Sequence, residues 1–576
     1  MVLKNDDYGS EPPRLSRHTN NRILKERGIF VVLIVVLVAS VAFYVFSGSE
    51  NPHGLRNTSA QPDYTLCQSK PSLLDLHTSI ATTSYPPLAK CVAARLQQAI
   101  RINTTSLADS EATLLEDPNS SFVPTSFLEL HSYLRQEFPH VHNHFNVSVI
   151  NKASLLFEPP DAPPKHLFYA HMDVVPGTGV DPFAGRYNDT SGTIHGRGAL
   201  DMKAHLISFL SVMESLLVAC DLELSTPQET CLERVNQWTI ALGHDEETTG
   251  WGGAARIAQH LKDKGSSFDA IYDEGVPAIQ NLIPLPGNPV LSFIGLAERG
   301  FLNVKFTISS EGGHSSVSKW SDNPANILSK SLDLIYTKYP FPRHSYSKPG
   351  IDTFKLLLLP DFLLKSSLFN VVFDLIGAPY VIGCLFSTIP MTAPFLSTSA
   401  SVTQFFAGQT GITNVIPNSA TALMNLRIHP SDSIDSSVKH LQAAMTEISK
   451  TFPHTVSYKL EVVGSAQEPS PVTPYDPPYK TAHHPSYHRL AQILQTTHAH
   501  HTPSTKILVG PAIMVAATDT KHFLDAGIIK NGNAFRVTPF VLTSRKQLGG
   551  IHGIDEFVSM DGVARGVEFY YRLVVD

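Results

Sequence analysis

The chain has 576 residues, a formal net charge of -7, 42% hydrophobic and 16% charged residues. With a usual charged share of about 25%, this balance excludes a disordered chain and a cationic nucleic-acid binder, and the length excludes a small disulfide- or metal-stapled module. Histidine, at 26 residues against 5 Cys, is the more available metal-binding side chain.

The first element in chain order is Ile29 to Phe46, IFVVLIVVLVASVAFYVF, which carries no charge. At helical rise it spans about 27 Å, enough for a minimal membrane crossing. Lys4, Arg14, Arg17, Arg22, Lys25 and Arg27 precede it and only Arg56 follows closely. The positive-inside rule therefore predicts a cytosolic tail (1–28), a transmembrane helix (29–46), a Pro-rich stalk (47–85) and a lumenal body. Five sequons (Asn57, Asn103, Asn119, Asn146, Asn188) and all the cysteines lie beyond the span, as glycosylation and an oxidising lumen require. Cys67 with Cys91 and Cys220 with Cys231 are close enough in sequence to pair, leaving Cys384 over.

Apolar periodicity predicts helices over Leu88–Ile102 and Phe127–Phe138, a strand within His166–Val175, and a helix near Ala204–Val218. A strand at Gln237–Gly243, a helix at Gly253–Lys262 and a strand at Ala270–Gly275 follow. This alternation predicts an α/β catalytic domain with a mostly parallel sheet flanked by helices, over 86–297 and 456–576. Between them, 298–455 reads as an inserted α+β unit, with strands at Phe301–Ser310, Val402–Phe406 and Thr421–Ile428 and a helix after Pro324. Its apolar stretch 353–390 contains Pro360, Lys365, Asp374 and Pro379 and is expected to form a buried or membrane-resting helical hairpin rather than a second span.

Five segments place metal-type ligands at or after strand ends. HMDVVP offers His171 and Asp173; residues i and i+2 of a strand face one way, so Asp173 is placed to orient the His171 ring. GRGALDMK offers Asp201, GHDEETTG the adjacent acids Glu246 and Glu247, YDEG the pair Asp273 and Glu274, and IHGIDE His552. One neighbouring acid can bind metal while the other moves a proton, which points to a paired-metal hydrolase. Nitrogen and oxygen donors of this mix suit zinc, with cobalt or manganese as substitutes. No H-E-x-x-H helix or G-x-S-x-G elbow is present. The six histidines His483, His484, His488, His498, His500 and His501 read as an exposed helix and loop without metal.

In order, HMDVVP, GRGALDMK, GHDEETTG, YDEG, LAERG, GGHSS, G-x-x-N-V-I-P, TDTKHF, FRVTP and IHGIDE resemble the dizinc carboxypeptidase and aminoacylase family, from about Leu66 to the C-terminus. Within it the layout is similar to fungal vacuolar carboxypeptidase S, a Gly-X carboxypeptidase. The resemblance implies two zinc ions per subunit, one held by His171 and Asp273 with Glu274 in reserve, the other by Glu247 and His552, bridged by Asp201. It further implies Glu246 as general base, Asp173 as orienting acid, and His314 of the insert as oxyanion stabiliser after lid closure. Asn414 and Arg427 are implied to lie near the substrate, and the insert to act as lid and homodimer contact.

The implied activity is hydrolysis of the C-terminal amide of short Gly-X peptides to release free amino acids in a vacuole-like lumen. The alternatives are an N-acyl amino acid hydrolase, and a catalytically inactive membrane-tethered binding protein, against which the retained Glu246 argues. Two motifs depart from the family pattern: Arg299 stands where a lysine is usual, and Phe535 where a tyrosine is usual.

Overall fold

The computed structural model describes residues 85–576, apart from short internal segments, together with Pro62, Asp63 and Cys67. The span at 29–46, nearly all of the stalk, and the sequons Asn57 and Asn119 lie outside the described residues. Asn103, Asn146 and Asn188 are exposed. Cys67 pairs with Cys91 and Cys220 with Cys231, while Cys384 remains a thiol.

The larger sheet has eight strands in the spatial order Asn146–Ile150, Ser154–Glu158, Trp238–Gly243, His166–His171, Ala270–Ile279, Ala534–Leu542, Val290–Glu298 and Ile507–Met514. It is a mixed sheet: the strands from Trp238–Gly243 through His166–His171 and Ala270–Ile279 to Ala534–Leu542 are parallel. The Asn146–Ile150 and Ser154–Glu158 hairpin adds two antiparallel strands at one edge. Trp238–Gly243 is buried at every position, as expected of a parallel strand covered on both faces. One face carries the helices Pro87–Arg101, Lys203–Asp221 and Met560–Val575 around the main apolar core; the other carries Ala254–Asp263 and Thr520–Asp525 around a smaller one. Lys203–Asp221 is long and apolar enough to cross a membrane, but it is almost entirely buried and serves as a core helix.

The second sheet is antiparallel, in the order Ser399–Ala407, Ser419–Ile428, Gly300–Ser309, Ser457–Val462. In Gly300–Ser309 buried and half-buried residues alternate, which matches the period of two seen in the sequence. Its inner face packs on the helices Pro324–Thr337 and Ile434–Ser449. Because Ser457–Val462 completes this sheet, the insert extends beyond the expected boundary at 455. The apolar stretch folds as short helices, Gly350–Leu358, Ser367–Leu375 and Ala378–Phe386, around their own core. Gly350–Leu358 leans on the outer strand Ile507–Met514 of the catalytic sheet, and Val371, Val372, Leu375 and Tyr380 are exposed.

Candidate active site

Parallel strands bring their carboxyl ends to one edge, and that is where the acids and histidines gather. His171 is the last residue of its strand, Glu246 and Glu247 form a short turn after Trp238–Gly243, and Asp273 and Glu274 lie within Ala270–Ile279. Asp201 comes from the loop before Lys203–Asp221, and the Asp201–Met202 peptide is cis. His552 sits in the turn between Arg545–Gly550 and Phe557–Ser559 with φ 56°. Histidine tolerates this left-handed conformation better than most residues. The following Gly553 is needed on steric grounds, since a Cβ there would lie 2.1 Å from the Gly549 carbonyl oxygen.

Asp201 is central. Its Oδ1 lies 3.1 Å from His171 Nε2 and its Oδ2 2.9 Å from His552 Nε2, so each imidazole faces a different oxygen of one carboxylate. Glu247 Oε2 is 3.2 Å from His552 Nε2 and Glu274 Oε1 is 3.7 Å from His171 Nε2. His171 with Asp201 and Glu247, and His171 with Glu246 and Glu274, form groups whose ligand atoms all lie within 4.8 Å.

These donors fit metal. The Nδ1 of His171 is 2.9 Å from the Asp173 carbonyl oxygen; donating there leaves Nε2 as the lone-pair nitrogen. A lone pair facing a carboxylate oxygen at 3.1 Å is repulsive unless a proton or a cation lies between. Ligand atoms bound to zinc at about 2 Å in a tetrahedron sit roughly 3.3 Å apart, close to the spacings seen. Glu247 Oε1 is buried without a hydrogen-bond partner, which a bound cation would supply.

The electrostatics agree. Although burial opposes it, contacts with Asp173, Asp201 and Glu274 hold the His171 imidazole well above the usual range. Hydrogen bonds donated by its ring to the Asp201 and Glu247 carboxylates push His552 up to about 10. Four carboxylates facing two imidazoles demand positive charge. Glu246 is raised well above an ordinary glutamate by burial first, then by Glu274, Asp519 and Glu247, the direction a general base needs.

Most of the expected residues meet here, with three differences. Asp273 does not face His171: it is buried, accepts from Thr520 Oγ1 at 2.7 Å and from the Glu274 amide at 2.8 Å, and so leaves Glu274 on the side of the cluster. Adjacent residues of a strand point to opposite faces, so only one of the pair can serve. Asp173 reaches His171 more closely through its carbonyl than through its carboxylate, at 2.9 against 3.4 Å. That carboxylate instead accepts from the amides of Glu246 and Glu247, both at 3.1 Å, and from Ser106 Oγ, so it holds the turn that carries both acids.

The third difference is the histidine group. His498 is fully buried, 3.2 Å from Ser292 Oγ, and His501 is half-buried against Glu568, while His483 and His500 are exposed, so the group is an exposed surface only in part. The insert places His314 opposite Val415, with the Asn414 carbonyl accepting from the Ser315 amide, so these two share one tip. His314 is exposed and bonded to Ser316. Arg427 lies at the far end of Ser419–Ile428, over the Phe301 ring, and its carbonyl accepts from Arg299.

Sequence reasoning does not single out Glu556, although it lies in IHGIDE. It accepts from the amides of Gly198, Leu200 and Asp201 and from Arg197, and so fixes the Asp201 loop. An acid three residues after Gly553 is visible in the motif, but its target is not, because the loop it holds lies more than 350 residues earlier.

The model of peptidase family M20/M25/M40 matches residues 167–576, which includes every ligand-type residue of this edge. The chain belongs to that family. As an M20 peptidase it is a hydrolase of the metallopeptidase class. A probable carboxypeptidase S-like protein of Dictyostelium discoideum is 27% identical over 99% of this chain and 98% of its own length. The N-fatty-acyl-amino acid synthase/hydrolase of Mus musculus is 30% identical over 83% of this chain and 86% of its own. Human carnosine dipeptidase 1 shares the fold at a TM-score of 0.54 and 14% identity, covering 89% of this chain and 99% of that one.

Proposed function

We propose that this M20 peptidase hydrolyses an amide bond whose product is a free amino acid, and that its substrates are short peptides of the Gly-X kind cleaved at the C-terminus. The observation that carries the reading is the pair of imidazoles on opposite oxygens of Asp201, with Glu246 beside them. His171, Asp201 and Glu274 would hold one zinc ion, and Asp201, Glu247 and His552 the other. Two such ions, when bound, supply Lewis-acid polarisation of the carbonyl and lower the pKa of water.

The residues of the chain do the rest. Glu246 takes a proton from the attacking water and later passes it to the leaving nitrogen. The Asp173 carboxylate keeps Glu246 and Glu247 in register by holding both their amides. His314 and Asn414, on one tip of the insert, are suited to meet the oxyanion and the substrate after the insert closes, whereas Arg427, at the other end of its strand, is given no contact with the same short substrate.

A second reading, N-acyl amino acid hydrolysis, needs the same centre with an apolar acyl site. The mouse relative and the exposed Val371, Val372, Leu375 and Tyr380 support it. The proposed setting is a type II membrane protein anchored by Ile29–Phe46, with a glycosylated body in a vacuole-like lumen and a homodimer contact on the insert. The two disulfides suit such an oxidising compartment. Measuring kcat/KM for benzyloxycarbonyl-Gly-Leu against a long-chain acyl-leucine separates the readings. The peptide is expected to be preferred; preference for the acyl substrate selects the second, and turnover of neither rejects both.

A further inference from the structure

The orientation of Glu274 is set by groups from outside its own strand. Thr520 Oγ1 donates to Asp273 Oδ2 at 2.7 Å, and Asp273 Oδ1 accepts from the Glu274 amide at 2.8 Å. Thr520 is fully buried and Asp273 nearly so, at 0% and 6% exposure. On the other side of Glu274, Thr538 Oγ1 donates to the Gly275 carbonyl at 2.7 Å and accepts from the Gly275 amide at 3.1 Å. The strand cannot shift inward there, because even a Cβ on Gly275 would lie 2.2 Å from the Arg536 carbonyl carbon.

Thr520 is itself held in place. It opens the helix Thr520–Asp525, its hydroxyl lies 3.2 Å from Thr518 Oγ1, and Thr518 donates to Glu298. The same segment grips the turn that carries Glu246 and Glu247, where His522 Nε2 lies 2.9 Å from the Thr249 carbonyl oxygen, and it is tied to the strand of His171 by Tyr169, which donates to Asp519.

We propose that Thr520 and Thr538 are positioning residues that bracket Glu274, turning Asp273 away from His171 so that Glu274 alone faces the metal centre. The proposal rests on the paired-metal reading above. Without the Thr520 hydroxyl, Asp273 is a buried carboxylate with a lost donor. It regains a partner by rotating toward the histidine, and the Glu274 amide then loses its acceptor. Neither threonine touches reacting atoms.

The test is zinc affinity, measured by chelator competition on the purified full-length chain in detergent, for Thr520→Val, Thr538→Val and the corresponding serine variants. Each valine variant is expected to weaken one of the two zinc sites by about 10–100-fold, as loss of groups that orient ligands does. The serine variants should stay close to the parent, and kcat should fall in the valine variants with KM little changed. Valine variants that bind both ions like the parent overturn the proposal. So do serine variants as weak as valine, since packing rather than a hydroxyl would then be at work. If a valine variant fails to fold, Asp273→Asn decides: its amide oxygen can still accept from the Glu274 amide while its NH2 donates to the Thr520 hydroxyl, so both ions should be retained, and loss of one overturns the bracket. A parent that binds two zinc ions but cleaves neither substrate removes the functional reading and leaves the bracket standing; fewer than two removes both.

Discussion

Glu246 and Glu247 are neighbours with different surroundings. Glu247 faces His552 across 3.2 Å, whereas Glu246 is buried among carboxylates that keep its proton affinity high. Glu246→Ala is therefore expected to lower kcat by about 10²–10⁴-fold while zinc content, read by atomic emission, stays at the parent value. Glu274→Gln should lose one ion of the two, because its carboxylate and not that of Asp273 faces His171. The residue types of this centre were legible because chemistry restricts them: imidazoles and carboxylates at strand ends suit such a metal pair. The choice between Asp273 and Glu274 was not, because strand periodicity says that they point apart but not which face meets His171. That is decided by Thr520, 247 residues away.

Among the elements, the helix Pro485–His501 and the C-terminal helix Met560–Val575 form a clasp. His501 lies 3.2 Å from Glu568 and 3.5 Å from Asp561, His500 is 2.6 Å from Glu568, and Arg565 and Arg572 bridge back to the same acids. Burial opposes the charge on His501, but Asp561 and Glu568 outweigh it and raise its pKa above 6.5. Both acids are in turn held below their usual range, with burial opposing and the neighbouring cations prevailing. A raised histidine contributes stability that is complete below its unfolded value and lost as pH rises through the folded one; the acids contribute above about pH 4. The clasp is thus strongest in mildly acidic solution. Tm at about pH 5.5 minus Tm at about pH 8.5 is expected to be more positive in the parent than in His501→Asn, because the variant lacks the raised imidazole. Equal Tm differences in parent and variant would exclude the clasp as the cause. Helices and central strands were readable from apolar period, but the burial of His498 on this helix was not, because histidine is polar by type and its buried partners Ser292 and Arg565 come from distant segments. The strand Ser457–Val462 escaped notice because a six-residue edge strand with little burial carries a weak pattern.

For the whole molecule, the uncharged run Ile29–Phe46 predicts that the full chain stays with the membrane fraction after alkaline carbonate, and that an endoglycosidase lowers its apparent mass on a gel. Release by carbonate, or unchanged mobility, would count against the anchor or the lumenal body respectively. The sequence by itself determined the chemistry on offer, the ordered motifs and the alternation that makes an α/β body with an insert, because these depend on residue type and local period. Tertiary structure alone decided that the sheet is mixed, that the insert includes Ser457–Val462, that Asp173 holds the Glu246 turn and that Glu274 displaces Asp273 at the site. The physical reason is the same in each case: these outcomes depend on which distant donors and strands come within hydrogen-bonding distance, and local pattern does not encode that distance.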